Sequence, residues 1–217
     1  DEIGWQQEDN GLYQNARYED LRPVAREYIH KTRLRVMNGL IPTGKFILDA
    51  GSGPVQYEEY KIYSQGYQKR VCLDISIQAL REARTRIGEH GLFVVGDLAN
   101  LPFKTEAFDG AVSMHAIHHL ALPEHPRAYG EIHRVLASGR TAAIVNGWHE
   151  PFLSRMAEPL IGFMRKLSGR SAKKKKEWLN EEDATGTFVQ KMTPEWLKRE
   201  IGTKMTIEIK PWRSVST

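Results

Sequence analysis

The sequence predicts an α/β protein built on a mostly parallel sheet with helices on both faces. Three observations carry that expectation. Between residues 45 and 146 short apolar runs alternate with longer helical stretches, most of the runs are near-continuous rather than alternating, and the first ends in a glycine-bearing turn. A run that is apolar on consecutive residues buries both of its faces, which a strand does when helices cover the sheet on each side.

Before the sheet, residues 18–37 carry Leu21, Val24, Ala25, Tyr28, Ile29, Thr32, Leu34 and Val36, the pattern of one or two helices broken near Pro23. Five strands follow, at 46–50, 70–74, 92–96, 108–114 and 141–146. Between the second and third, Ser76 reads as an N-cap, Ile77, Leu80, Ala83, Arg84 and Ile87 recur at helical spacing, and Gly88 is the stop, which makes a βαβ unit. Residues 123–136 form the next helix, with Ala128, Ile132, Val135 and Leu136 on one face and Gly139 past its end. Residues 152–167 are apolar at Phe152, Met156, Leu160, Phe163, Met164 and Leu167, with Arg155, Arg165 and Lys166 alongside, and residues 171–186 are polar and charged, as in a loop. Thr193 caps a short helix opened by Pro194, and 204–209 alternate Met205, Ile207 and Ile209 as a sixth strand. Four parts result: a helical segment 1–44, a core 45–147, a basic helical cap 148–192, and a helix and strand 193–217 that complete the sheet.

The chain's 217 residues suffice for one core with an elaboration. Its net charge of +4 is unevenly spread: 17 basic and 19 acidic residues precede Pro151, and 14 basic and 8 acidic residues follow from it. Within 151–176 there are eight basic residues and a single acid, Glu158. Such a stripe meets phosphate, anionic lipid or an acidic substrate, or stands as a solvated run. With Cys72 alone, no intramolecular disulfide and no four-cysteine zinc site can form, and a reducing, cytoplasmic setting is expected. No apolar run approaches the roughly 18 residues of a spanning helix, no signal-peptide pattern opens the chain, and the missing initiator methionine suggests a trimmed N-terminus.

The sharpest motif is Phe46-Ile47-Leu48-Asp49-Ala50-Gly51-Ser52-Gly53. Glycines without Cβ let a ligand lie against the backbone at the carboxyl end of the first strand, where open α/β sheets bind ligands. Asp74 ends the second strand 21 residues after Gly53, where a carboxylate reaches both ribose hydroxyls of a nucleoside and accepts both hydrogens. A dinucleotide fold also places an acid there, but its fingerprint calls for glycine or alanine three residues after the second glycine, where this chain has Gln56. Asp97 follows the third strand, placed to accept from an adenine amino group with Leu98 and Leu101 near the faces of the base. Three acids at successive strand ends, 25 and 23 residues apart, repeat one geometry.

Together the stretches FILDAGSGP (46–54), VCLDIS (71–76), VVGDLANLPF (94–103), FDGAVSMHAIHHL (108–120) and EIHRVLASGRTAAIV (131–145) resemble the class I S-adenosylmethionine-dependent methyltransferases, in the broad subgroup that acts on small molecules and lipids. The resemblance spans about residues 45–147 and implies a Rossmann-like sheet with S-adenosylmethionine across the carboxyl ends of its first strands. It implies Asp49, Gly51 and Gly53 around the methionine part, Asp74 with Ile75 at the ribose, Asp97 and Leu98 at the adenine, and His115 beside the reacting methyl. It also implies a substrate cap after the fifth strand; the N-terminal segment with Tyr13, Arg17 and Tyr18 is expected either to fold over the cofactor site or to leave these three at the surface. Two residues depart from the family pattern. Val55 stands where a third glycine is usual and would crowd the cofactor loop, and Gly139-Arg140 replaces paired glycines before the fifth strand.

In methyl transfer a general base is needed only for a hydroxyl or a protonated amine acceptor, and His115 and His149, each just past a strand, are the candidates. A strand-end histidine also serves as a plain polar contact. His115, His118, His119, His125 and His133 lack an acid at ligand spacing, so no metal is expected, and Cys72 inside an apolar strand reads as an inert core thiol. Residues 152–176 are expected to select a hydrophobic or anionic acceptor as a cap, or to touch a membrane surface peripherally. The competing functions are a nicotinamide-dependent oxidoreductase, disfavoured by Gln56 and the 97–103 stretch, and a non-catalytic nucleoside-binding module. Nucleic acid is not an expected partner, because no aromatic residue interleaves the lysines apart from Trp178.

Overall fold

The structure, a computed structural model, describes residues 23–147 and 189–212. Strands β1 (Gly44–Ala50), β2 (Tyr67–Asp74), β3 (Gly91–Val95), β4 (Gly110–Met114) and β5 (Ala142–Val145) pair wholly in parallel in the order β3-β2-β1-β4-β5. All five predicted strands are present. The fourth is shorter than expected because Phe108 reaches its neighbour Leu136 only in an isolated bridge, before the ladder with β5 begins at Ala111. Among the described residues five α-helices accompany them: α1 (Pro23–Leu34), α2 (Glu58–Ile62), α3 (Ile77–Ile87), α4 (His125–Val135) and α5 (Pro194–Glu200).

The helix ends follow local chemistry. Pro23 opens α1, where its missing N–H costs nothing. At α3 the Ser76 hydroxyl accepts the Ala79 N–H at 3.2 Å, and Gly88 stops the helix at a φ of 60° that side chains resist. At α5 Thr193 accepts the Trp196 N–H at 3.1 Å ahead of Pro194. Helix α4 starts at His125 rather than at 123, because Leu122–Glu124 make a 3-10 turn first.

Alternation along the strands sends side chains to two covered faces. One face places Ile47, Val112 and Val145 with Val36, Tyr63 and Tyr67, and Cys72 with Leu80 and Ala83 of α3. The other packs Leu48, Ala50, Val71, Leu73 and Ala111 against Ala128, Ile132 and Val135 of α4, Leu197 of α5 and Ile201 just past its end. Each fully buried aliphatic side chain contributes roughly 1.5–3 kcal/mol here.

One expected element is absent. Residues 204–209 form no strand, and among the described residues the sheet ends at β5. The alternation itself is real: Met205, Ile207 and Ile209 are half-buried against the α4–α5 core while Thr206 and Glu208 are exposed. One buried face suffices to impose period two, whereas a strand also needs a neighbour's main chain. The predicted elements at 18–22, 152–167 and 171–186 lie outside the described residues.

A buried ion pair joins the central strands. Arg70 on β2 is 2% exposed; its Nε donates to Asp49 Oδ2 on β1 at 3.0 Å, its Nη2 donates to the same oxygen, and its Nη1 donates to the Tyr60 carbonyl. Burial opposes the charge on Arg70, and the Asp49 carboxylate outweighs it, holding the guanidinium above its usual range. Removing one partner strands the other charge in the core. Arg70→Met should therefore lower stability by about 3–5 kcal/mol in urea unfolding, and Asp49→Asn added to it should recover part of the loss. A single variant within about 1 kcal/mol of the parent would show that the pair carries no such constraint.

Candidate functional site

In the order β3-β2-β1-β4-β5 the chain leaves β1 toward one side and later returns on the other, so the carboxyl ends of β1 and β4 bound a crevice. The turn after β1 enters it. Gly51 and Gly53 take φ of 72° and 56°, and the Gly51 and Ser52 N–H groups both donate to the Leu73 carbonyl, at 2.8 and 3.0 Å. A Cβ on Gly51 would stand 2.3 Å from Ala116 Cβ and 3.9 Å from Leu98 Cδ2. The turn thus touches both the loop after β4 and the loop after β3 at a point where only glycine fits.

Asp74, at the end of β2, holds the turn from below. Its Oδ2 accepts the Gly53 N–H and its Oδ1 the Ser76 N–H, each at 2.9 Å. Burial raises this carboxyl above the usual aspartate range, against the lowering pull of those two N–H groups. A carboxylate oxygen with one donor keeps acceptor capacity for another, so the group can still take hydroxyl hydrogens. Ile75 beside it is 79% exposed, an apolar side chain standing in solvent at the mouth of the crevice. Asp97, after β3, is exposed, and its Oδ1 accepts the Ala99 N–H at 2.8 Å, which shapes the turn that buries Leu98.

These features fit a nucleoside cofactor: an acid with acceptor capacity, an exposed aliphatic surface, a second acid and a side-chain-free turn stand at adjacent strand ends. Two expected residues sit differently from the rest. Asp49 is 2% exposed and spends Oδ2 on Arg70, so its carboxylate supports the turn from inside the sheet. Val55 adopts a φ of 48°, but its side chain does not project over the turn; it is buried with Cys72, Leu80 and Ala83. That left-handed valine costs roughly 1–2 kcal/mol, offset by its burial. Arg140, in place of the second glycine before β5, lies 3.3 Å from Asp109 and donates to the Thr43 carbonyl at 2.9 Å.

His115 lies at the carboxyl end of β4 with a φ of 57°, and its N–H donates to the Val145 carbonyl at 2.7 Å. Its ring centroid is 4.9 Å from that of Trp212 and 5.7 Å from that of His118. His149, Tyr13, Arg17, Tyr18 and the 152–176 segment lie outside the described residues. Cys72 is buried, and burial pushes its thiol up to about 12, which removes it as a nucleophile. Sequence reasoning missed Arg70 as a partner of Asp49, although a lone charge inside a run buried on both faces is itself a signal. Trp212 against His115 left no such trace. Gly51→Ala should weaken cofactor binding and cost at least 1–2 kcal/mol from its φ alone, with more from the clash. Adding Ala116→Gly should relieve the clash part in a thermal melt and leave the φ part; no recovery would mean that the two loops do not press on each other.

Residues 48–144 match the family model for a methyltransferase domain. The YcgJ protein of Bacillus subtilis shares the fold at a TM-score of 0.56 and 18% identity, over 81% of this chain and 67% of its own. A SAM-dependent methyltransferase from Thermotoga maritima does so at 0.55 and 20%, over 83% and 72%. No curated protein matches the sequence. The matched stretch runs from Leu48 in β1 to Ile144 in β5 and contains the glycine turn, Asp74, Asp97 and His115, so over these residues the chain resembles a methyltransferase domain.

Proposed function

We propose that the chain transfers a methyl group from S-adenosylmethionine to a small-molecule or lipid-like acceptor. The observation that carries this reading is Asp74, a carboxylate at the end of β2 fastened to the glycine turn at 2.9 Å and flanked by the exposed Ile75. In it, Asp74 accepts the ribose hydroxyls, Ile75 and Leu98 line the base, Asp97 accepts from the adenine amino group, and Gly51 and Gly53 give room to the methionine part. Bound S-adenosylmethionine supplies an activated methyl carbon on a sulfonium, so the work left to the chain is alignment and exclusion of water. His115, beside Trp212, is the described residue placed to take a proton from a hydroxyl or amine acceptor.

Acceptor choice falls to the basic segment 152–176, whose apolar and cationic residues suit a hydrophobic or anionic molecule. Among the described residues no helix is long and apolar enough to cross a membrane. Neutralising Arg165, Lys166 and Arg170 together should change the ranking of acceptors in an activity screen; equal activity on every acceptor would remove the segment from substrate choice.

Calorimetry with S-adenosylmethionine, S-adenosylhomocysteine and NAD tests the reading. Both sulfur nucleosides should bind and NAD should not; binding of NAD alone would favour an oxidoreductase. Asp74→Ala should weaken S-adenosylhomocysteine by about 100-fold or more, the worth of two hydrogen bonds to a charged acceptor. Because burial raises the Asp74 carboxyl and the ribose contact needs it ionised, affinity in the parent protein should fall on acidification. The midpoint should lie above the usual aspartate value of about 3.9. Retained affinity in the variant would place the nucleoside elsewhere.

A further inference from the structure

The loop after β4 holds a histidine whose two polar contacts lead to distant parts of the chain. His118 is 7% exposed. Its Nδ1 accepts the N–H of Gly147, just past β5, at 3.1 Å, and its carbonyl accepts the N–H of Gln190, four residues before α5, at 2.6 Å. Gly147 and Gln190 bound the stretch that carries the basic segment. Two residues earlier on the same loop is Ala116, against which the cofactor turn presses at Gly51. One loop thus meets the glycine turn on one side and both ends of the intervening stretch on the other.

We propose that His118 is a positioning residue: by accepting the Gly147 N–H at Nδ1 it fixes the start of the acceptor-selecting stretch to the loop that bounds the cofactor turn, where its main-chain carbonyl, which any residue would offer, also meets Gln190. Its functional weight rests on the methyl-transfer reading, while the geometry stands without it. A histidine accepting at Nδ1 carries its hydrogen on Nε2 and must be neutral. Burial first, then His119, His115, His125 and Lys191, hold the ring down to about 2 against an ordinary 6.5, so the contact persists at acidic pH. The unfolded chain takes up that proton near 6.5 and the folded chain does not. Below that value the unfolded state binds more protons, so His118 makes stability fall as pH falls, without breaking its own bond first.

Amide hydrogen exchange on the full chain, with S-adenosylhomocysteine calorimetry in parallel, tests this. His118→Leu should raise exchange at Gly147 by about tenfold, the size of one lost hydrogen bond, while Gln190 keeps the main-chain carbonyl of residue 118 as its acceptor. Amides of β1 should not change. His118→Asn places an oxygen where Nδ1 stands and should restore protection of Gly147; His118→Gln, which reaches to the Nε2 position, should not. In the parent protein the Gly147 amide resonance should stay flat from pH 8 to 5. Unchanged protection in His118→Leu, equal protection in the Asn and Gln variants, or a Gly147 titration near 6.5 would each overturn the proposal. Should the Leu variant not fold, the Asn and Gln pair still decides. Failure of S-adenosylhomocysteine to bind the parent protein would instead overturn the methyl-transfer reading and leave the exchange result standing.

Discussion

A guanidinium shielded from water holds the working end of this sheet together. Arg70 spans from β2 to the Asp49 carboxylate on β1 and to the main-chain carbonyl of Tyr60 in α2, so three elements meet on one cation. Taking two charges out of water is expensive, and the pair is stable only because each charge meets the other at short range and the guanidinium has a further acceptor. Such a pair contributes little net stability compared with well-packed apolar residues, but it tolerates few geometries. The glycine turn begins two residues after Asp49, so its starting direction is set by this pair.

From that starting point the turn is held by main-chain and carboxylate contacts rather than by side-chain packing. Leu73 accepts two of its N–H groups, Asp74 a third, and Ala116 and Leu98 close on the place where a Cβ would have been. Gly51, Ser52 and Gly53 stay half-buried, with no Cβ on either glycine to keep a ligand from the main chain. The left-handed Val55 fits the same logic. Its side chain is buried against α3, and the strain in its main chain is sustained by that burial. Exposed Ile75 at the crevice mouth is the complementary sign, an apolar surface that a flat base would cover.

Much of this was legible in the sequence, for identifiable reasons. Strands covered on both faces leave near-continuous apolar runs, and Ser76, Gly88, Thr193 and Pro194 mark helix ends by chemistry that acts within a few residues. Asp74, Asp97 and the glycines stand at strand ends on one edge of the parallel sheet, as their places after apolar runs led one to expect. What was not legible depends on long-range geometry. An acid at a strand end looks alike whether it faces a ligand or, like Asp49, a cation 21 residues away. The alternation at 204–209 records burial of one face and says nothing about a missing strand neighbour. His118 looked like part of a histidine-rich stretch, and only the fold shows that its Nδ1 meets Gly147 and its main-chain carbonyl meets Gln190.

In the reading proposed above, the carboxyl ends of β1, β2 and β3 form one nucleoside site, with Asp49 supporting it from within and Asp74 touching the ligand. A crystal structure of the complex with S-adenosylhomocysteine tests it most directly. The ribose hydroxyls should stand on the Asp74 carboxylate and the base against Ile75 and Leu98, with the Asp49–Arg70 pair intact beneath the turn. A nucleoside bound away from Asp74, or Asp49 swung out of its pair to contact the ligand, would contradict it.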